Sequence, residues 1–327
     1  MNILVTGGAG YIGSHTVHTL LAQKPASNIV VVDNFSTGHL ASLPKGIDFY
    51  HLDIQNQREL ERLMQKKNIN AVIHFAASSQ VGESVKKPLD YYENNLSGTL
   101  SLLNAMVNSG VKHIVFSSTA AVYGNPKSQP ITEDADTLPE NPYGATKLAM
   151  EQMIHWAGKA HDIRHVALRY FNAAGAHPSG DIGEAHNPET HLIPLVLQVA
   201  SGKRDKISIF GDDYPTKDGT AVRDYIHVLD LADAHILALD YLINGGESIR
   251  LNLGNGVGFT VKEVIETARR VTNHPIPAEI SPRRIGDPAT LIASSEKAHK
   301  ILNWSPQYTD LSTIIADAWR WHSDEKY

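Results

Sequence analysis

Two tyrosines in the chain are followed four residues on by a lysine, Tyr123 with Lys127 and Tyr143 with Lys147. That spacing sets a phenol and an ammonium on one face of a helix, if a helix is there to carry them. Gly124-Asn125-Pro126 after Tyr123 is turn chemistry that points the two side chains apart, whereas Tyr143 opens a helical run behind Asn141-Pro142. The ammonium of Lys147, with a further positive charge nearby, is expected to lower the phenol from ~10 toward a value where phenolate acts as a base. This is the chemistry of alcohol oxidation. Just upstream, Ser117-Ser118-Thr119 runs out of a strand pattern, His113 to Ser117. Thr119 is the hydroxyl expected to bond the reacting oxygen and relay its proton to Tyr143, with Ser117 and Ser118 open to the commoner use of capping turn amides.

Nearer the N-terminus, Gly7-Gly8-Ala9-Gly10-Tyr11-Ile12-Gly13 follows the run Asn2 to Thr6 and precedes a helical pattern. Gly7, Gly10 and Gly13 permit a tight strand-to-helix turn and bring backbone amides up to a pyrophosphate, where the helix dipole favours negative charge. Asp33 ends the next strand pattern twenty residues past Gly13, where a carboxylate can bond adenosine ribose hydroxyls. A carboxylate would repel a 2′-phosphate, and no Arg follows in Asn34-Phe35-Ser36-Thr37-Gly38. The expected cofactor is therefore NAD rather than NADP.

These groups need a scaffold that brings residues from distant parts of the chain to one edge. Candidate strands Asn2 to Thr6, Asn28 to Asp33, Asp48 to Asp53, Ala71 to Ala76, His113 to Ser117 and His165 to Tyr170 alternate with helical stretches. The helical stretches are Tyr11 to Gln23, Gln57 to Lys67, Leu89 to Ser109 and Tyr143 to His161. The alternation predicts an α/β fold, a doubly wound parallel sheet of Rossmann type. After Phe171 comes a segment rich in Gly, Pro, His and Asp, Gly175 to Gly219, broken by one helical run, Leu192 to Ser201. Regular patterns return as a helix Val228 to Leu242, a strand Arg250 to Leu253, a helix Val261 to Val271 and a closing helix Leu311 to His322. The expected organisation is an NAD-binding unit over 1–170, with about 221–254 returning to it, and a smaller discontinuous substrate domain from 171–220 and 255–327.

Composition narrows the partners. With 42% hydrophobic and 20% charged residues among 327, the chain reads as globular rather than disordered. Lys plus Arg number 29 against 35 Asp plus Glu, a formal charge of -6, so nucleic acid is not an expected partner. Cysteine is absent, which excludes disulfides, thiolate zinc sites and cysteine nucleophiles. His15, His74 and His191 show no paired ligand spacing and are expected to pack or lie on the surface, with no metal. No apolar run approaches ~18 residues and no basic leader opens the chain, so the expectation is a cytoplasmic protein without membrane association.

The glycine-rich turn, Ser117-Ser118-Thr119-Ala120-Ala121-Val122-Tyr123-Gly124, the Tyr143 and Lys147 pair and Arg169-Tyr170-Phe171-Asn172 together resemble the extended short-chain dehydrogenases. More narrowly, Gly175-Ala176-His177-Pro178-Ser179-Gly180 and Asp218-Gly219-Thr220-Ala221-Val222-Arg223-Asp224-Tyr225-Ile226-His227-Val228 resemble the UDP-glucose 4-epimerase family, and the similarity spans essentially the whole chain. The resemblance implies an isomerase in which Tyr143 takes the proton of the sugar 4-hydroxyl while C4 gives its hydride to NAD. The resulting 4-keto sugar swings about its diphosphate link and takes the hydride back on its other face. Since the net redox change is zero, NAD should stay bound through the cycle. By the same resemblance, Gly7, Gly10, Tyr11, Ile12, Gly13, Asp33, Asn34, Asp53, Ile54, Phe75, Ala76, Ala77, Asn94, Ser117 and Phe171 match positions that hold NAD. Asn172, Phe210, Arg223, Tyr225, Arg284, Asp287 and Leu291 match the nucleotide-sugar site. A diphosphate suits the planar fork of arginine, which agrees with Arg223 and Arg284.

Two positions depart from that pattern. Ser79 stands where many members carry a cofactor-contacting Lys, and Leu291 stands where hexose-restricted members usually carry Tyr and dual-specificity members a smaller residue. Leucine removes an aromatic wall without offering a hydrogen bond, so acceptance of N-acetylated sugars stays open. The rival enzymes are a UDP-uronate 4-epimerase and a nucleotide-sugar 4,6-dehydratase. The dehydratase needs an extra acid and base where this chain has Ala120 and Ala121, which transfer no protons. The rival from another class is an NAD-sensing scaffold, whose mark would be a broken tyrosine and lysine pair. The helical stretches Leu89 to Ser109 and Tyr143 to His161 are apolar over much of their circumference, and the resemblance implies that they pair in a homodimer.

Overall fold

The computed structural model describes residues 1–284 and 287–327. Its larger sheet has seven strands: β1 (Asn2–Thr6), β2 (Asn28–Asp33), β3 (Asp48–His51), β4 (Ala71–His74), β5 (His113–Ser117), β6 (Arg164–Arg169) and, much later in the chain, β10 (Ile249–Asn252). They lie in the order β10-β6-β5-β4-β1-β2-β3, every pair parallel. The chain begins in the middle of the sheet, builds outward through β2 and β3, then crosses back to β4 on the other side of β1. The crevice at that reversal, beyond the carboxyl ends of β1 and β4, is where such sheets take ligands.

Parallel strands joined by crossover helices are covered on both faces, and side chains alternate between them. Ile3 and Val5 therefore point to one face, with Val17 and Leu20 of α1 (Tyr11–Gln23) and Leu231 and Leu239 of α8 (Val228–Ile243). Leu4 points to the other, with Leu60 of α2 (Gln57–Lys66), Leu102 of α5 (Gly98–Ser109) and Ile154 of α6 (Pro142–His161). The remaining short strands are β7 (Asn172–Ala174), β8 (Ile207–Phe210), β9 (Val222–His227), β11 (Gly258–Thr260), β12 (Ala278–Ser281) and β13 (Thr290–Leu291). They form a four-stranded group, β11-β9-β13 with β7 also on β9, and a β8–β12 pair. Of the 221–254 segment expected with the first unit, α8 packs on α1 and β10 joins the larger sheet, while β9 pairs in the smaller one. A separate core forms where α7 (Leu192–Ala200), α9 (Val261–Thr272) and α11 (Leu311–His322) close on β8 and on Tyr225 of β9.

The expected helix Leu89 to Ser109 is continuous but not uniform. Between α4 (Pro88–Tyr92) and α5 lies a π-helical turn, Glu93–Ser97. The Asn95 amide accounts for this widened turn: it accepts from Ser78 N at 2.8 Å and donates to Ser78 O at 3.1 Å and Thr146 Oγ1 at 3.0 Å. Those bonds pin the helix to the loop after β4 and to α6. Asn94 is thereby set at the crevice, where its amide donates to Ser78 Oγ at 3.0 Å. Two further short helices, α3 (Val81–Lys86) and α10 (Glu296–Leu302), have no sequence signal long enough to read.

Candidate active site

One continuous cleft of about 810 Å³ runs from the β1–α1 turn across the end of β4 to the second lobe. The turn itself is fixed by close approach. A Cβ on Gly13 would lie 2.2 Å from Gly7 O, so a side chain there would push the helix off the strand. Helix α1 starts at Tyr11 behind Gly10 with no side-chain cap and no acidic residue in its first turn. Its first amides are therefore available to an anion at the cleft wall. Asp33 is buried, and its carboxylate accepts from Ala9 N at 2.9 Å and Phe35 N at 2.8 Å, so it ties the glycine turn to the end of β2. Each oxygen keeps a further lone pair for a hydroxyl. Burial raises this carboxyl above its ordinary range, against the pull of those two amides. Asn34 donates to Asp53 Oδ2 at 2.9 Å on the same wall. Ile54, Phe75, Ala76, Ala77 and Phe171 line the cleft with them. These donors, the uncapped helix start and the narrow turn fit a dinucleotide.

The catalytic candidates meet where β5 ends against α6. Asn141 accepts from Gly144 N at 2.8 Å and Pro142 occupies the first turn, so α6 starts where the sequence signals place it. Gly144 is needed because a Cβ there would sit 2.6 Å from Ala121 O, and this contact brings Tyr143 up to the strand end. Lys147, one turn on, is 3% exposed and donates to Ser117 O at 2.9 Å. Thr119, also buried, accepts from Ala121 N at 3.1 Å. The capping left open to Ser117 and Ser118 thus falls to Thr119. Ser117 Oγ instead pairs with Tyr170 Oη at 2.5 Å, and Ser118 Oγ donates to Glu151 at 2.5 Å. A threonine oxygen that accepts from a backbone amide still has its own proton to donate, and its hydroxyl faces the Tyr143 phenol.

The electrostatics correct one expectation. Burial pushes the Tyr143 phenol up to about 12, with Thr119 pulling it back, and Lys147 is not among the groups that move it. Burial also pushes the Lys147 ammonium down to about 7, opposed by the Glu151 carboxylate. Burial therefore favours the protonated phenol at neutral pH, and the positive charge of a bound cofactor beside it would lower it.

Glu151 was not singled out in the sequence, although it lies one turn beyond Lys147 on α6 and two beyond Tyr143. It is 2% exposed and receives Arg169 Nε at 2.9 Å and Nη2 at 2.6 Å, a bidentate pair closed off from water. Arg169 also donates to Tyr123 Oη at 2.9 Å, which donates in turn to Asn252 at 2.7 Å. Tyr123, the tyrosine whose Lys127 partner the turn removes, thus serves a buried network that locks β5, β6, β10 and α6 together behind the phenol.

The far end of the cleft is built differently. Arg223, Arg284, Asp287, Asn172 and Leu291 line it, and Arg223 Nη2 pairs with Asp287. Asn172 donates to Asp224 O at 2.9 Å, joining β7 to β9. Two expected substrate residues pack against neighbours beside the cleft. Tyr225 is 4% exposed because it is turned into the lobe's core, and Phe210 lies under Arg284, whose guanidinium carbon is 4.0 Å from the ring centroid. The three histidines sit as expected, two packed inside and His191 exposed. His15 and His74 are buried packing residues, bonded to Tyr11 O and Thr6 Oγ1 at 2.7 Å each. His191 joins His186, Glu184 and Glu189, with donor atoms all within 4.8 Å of one another.

Residues 3–254 match the NAD dependent epimerase/dehydratase family. The chain is 58% identical over 327 residues to a UDP-glucose 4-epimerase of Halalkalibacterium halodurans, covering 100% of this chain and 97% of that protein. A crystal structure of a UDP-glucose 4-epimerase superimposes with a TM-score of 0.97 at 54% identity, covering 99% of this chain and 98% of the other. A Bifidobacterium longum UDP-glucose 4-epimerase in complex with NAD+ and UDP superimposes at 0.93 with 41% identity, over 99% of each chain.

Proposed function

We propose, from the premise that this chain belongs to the NAD dependent epimerase/dehydratase family, that it interconverts UDP-glucose and UDP-galactose by transient oxidation at sugar C4. The observation that carries the reading is a single cleft with Tyr143, Thr119 and Lys147 between an uncapped helix start and a pair of arginines. NAD, when bound, supplies the acceptor and later the donor of the C4 hydride, together with a positive charge beside the phenol. The rest is done by the chain. Tyr143 takes the 4-hydroxyl proton, Thr119 holds that oxygen and passes the proton on, and Lys147 braces the strand end through Ser117 O. Arg223 and Arg284 grip the diphosphate, so the sugar can turn over while its anchor stays in place.

We assign Gly7, Gly10, Tyr11, Ile12, Gly13, Asp33, Asn34, Asp53, Asn94 and Ser117 to the cofactor end of that cleft, and Asn172, Asp287 and Leu291 to the sugar-nucleotide end. We keep the division into an NAD-binding unit of 1–170, with about 221–254 returning to it, and a substrate unit of 171–220 and 255–327. No described helix is long and apolar enough to cross a membrane, and we place the protein in the cytoplasm. Val85, Leu89, Tyr92, Leu100 and Trp156 are exposed on α3 to α6, elements packed side by side. That apolar face is the surface we assign to a homodimer. A light-scattering mass of one chain would remove the dimer.

The test of function is product analysis with UDP-galactose, UDP-N-acetylgalactosamine and UDP-galacturonate, beside Tyr143→Phe. Conversion of UDP-galactose, lost by a factor of ~10²–10⁴ in the variant, is expected. Activity on the uronate alone, or a variant as fast as the parent, overturns the reading.

A further inference from the structure

We propose that Glu184, His186, Glu189 and His191 form a binding site for one divalent transition-metal cation of the zinc class, on the loop that walls the cleft ahead of α7. Nothing in the epimerase reading uses these four residues together, and the sequence packs them into eight positions as Glu-x-His-x-x-Glu-x-His.

The geometry is that of a ligand set. Tetrahedral zinc with bonds of ~2.0–2.1 Å keeps its donor atoms roughly 3.3–3.4 Å apart. Here His186 Nδ1 lies 3.0 Å from Glu184 Oε1 and 3.8 Å from Glu189 Oε2, and His191 Nδ1 lies 3.7 Å from Glu189 Oε1. His191 Nδ1 also meets Glu184 Oε1, so both imidazoles aim the same nitrogen at one carboxylate oxygen. Two imidazoles and two carboxylates are donors that suit zinc, and no thiolate is required.

Burial concentrates the four groups. The side chains of Glu184 and Glu189 are only 3% and 4% exposed. Among the described residues neither carboxylate has a lysine or arginine partner, and their only cationic neighbours are these two histidines. Buried carboxylates need compensation: Glu151 has Arg169 and Asp33 has two backbone amides, whereas Glu184 meets two imidazole nitrogens at one oxygen, a convergence of donors that a cation also uses.

The surroundings hold the ligands in place. Glu189 Oε1 accepts from Thr190 N at 2.6 Å and His191 N at 2.8 Å, and Trp321 Nε1 donates to Glu184 O at 2.9 Å. Such outer bonds orient metal ligands. His186 and His191 also line the cleft, so a cation there would clasp the loop as a fixed wall and join it to the start of α7. The role is structural closure.

The test uses the tag-free full-length chain, stripped with a chelator and titrated with Co²⁺ and, by calorimetry, with Zn²⁺. One equivalent of cobalt should produce the intense visible bands of a tetrahedral site, and zinc should displace it with one-to-one stoichiometry. His191→Gln, which keeps a hydrogen-bonding partner for Glu184, and Glu189→Gln should each weaken binding by at least ~10-fold. Absence of saturable binding in the parent chain overturns the proposal, and so does binding that both variants leave unchanged. The readout is a metal spectrum, so failure here is distinct from failure of the epimerase reading, which is judged by product.

Discussion

The two ends of the cleft solve the problem of holding charge in opposite ways. At the cofactor and phenol end, charges are buried and saturated: Glu151 and Arg169 are each about 1% exposed in their side chains and bonded to two strands and a helix. At the sugar-nucleotide end, Arg223 and Asp287 keep 14% and 27% of their side-chain exposure, and Arg284 rests on an aromatic face. The first arrangement fixes reacting atoms to within a hydrogen bond. The second leaves an arginine whose carboxylate partner can be exchanged for a phosphate. On the proposed assignment, chemistry that demands one geometry would sit on the rigid half, and a ligand that must turn over between half-reactions would be held by the adaptable half.

Acid should separate the halves most strongly. His15, His74, His165 and His235 all belong to the larger sheet and its helices, and burial lowers the first two to about 3 and the last two to about 4. A histidine kept neutral in the fold but titrating near ~6.5 when unfolded leaves stability intact above ~6.5 and removes it as pH falls, at ~1.4 kcal/mol per unit for each group. Near pH ~5 the four together cost several kcal/mol, comparable with a domain's whole stability of ~5–15 kcal/mol. Asp224 of the smaller sheet has the reverse sign. Burial raises it to about 6, so lowering the pH relieves a strain there. Between pH 7 and 5 amide protection factors, corrected for the intrinsic rate, should fall in β1, β4 and β6 before β9. Simultaneous loss of protection would erase the distinction.

Glu151→Gln should follow in size. It strips the countercharge from a buried Arg169, and breaking such a pair costs ~3–5 kcal/mol, read as a lower urea midpoint. The turnover number should fall as well, since the pair fixes the strand end under Lys147, while KM for the UDP-sugar stays within about twofold. A stable variant with a raised KM would instead place Glu151 in the substrate end.

The same contrast explains what could be read without coordinates. Strands β1, β2 and β5 and helix α1 fall on the residues expected for them, because each is a local hydrophobic period ended by its own glycine, aspartate or cap. Tyr143 and Lys147 were legible for that reason. The residues that stabilise them were not, because Glu151, Arg169, Tyr123 and Asn252 are brought together from four elements and no spacing announces it. Strand β9, Val222–His227, carries Arg223, Asp224 and His227 in six positions, so no apolar alternation marks it. Its partners β7, β11 and β13 have two or three residues each, too few for a period. Phe210 and Tyr225 were placed in the substrate site by similarity of position, and only packing shows that one lies beneath Arg284 and the other inside the lobe.

Smaller effects belong to the adaptable end. Arg223→Lys keeps the charge but loses the fork that pairs with Asp287 and that we propose meets a phosphate. KM for UDP-galactose should rise roughly tenfold, about 1.4 kcal/mol, with the turnover number and the urea midpoint nearly unchanged. A drop in stability as large as that of Glu151→Gln would mean that Arg223 is structural after all, and that both ends are built alike.

The smallest expected change is one of choice between substrates. Leu291 stands opposite Arg223 in the β13–β9 pairing and packs on the cluster of Ala120, Val122, Tyr123 and Ile131, with part of its side chain on the cleft. A tyrosine ring at that position would extend from the same backbone into the space beside the sugar. Leu291→Tyr should therefore lower kcat/KM for UDP-N-acetylgalactosamine relative to UDP-galactose by roughly tenfold, the scale on which a pocket wall discriminates one small group. The galactose reaction should be nearly unaffected, because Tyr143, Thr119 and Lys147 are held by bonds that do not involve β13. If both substrates lose equally, the ring has disturbed the catalytic end, and the separation of a rigid chemical half from an adaptable binding half does not extend to residue 291.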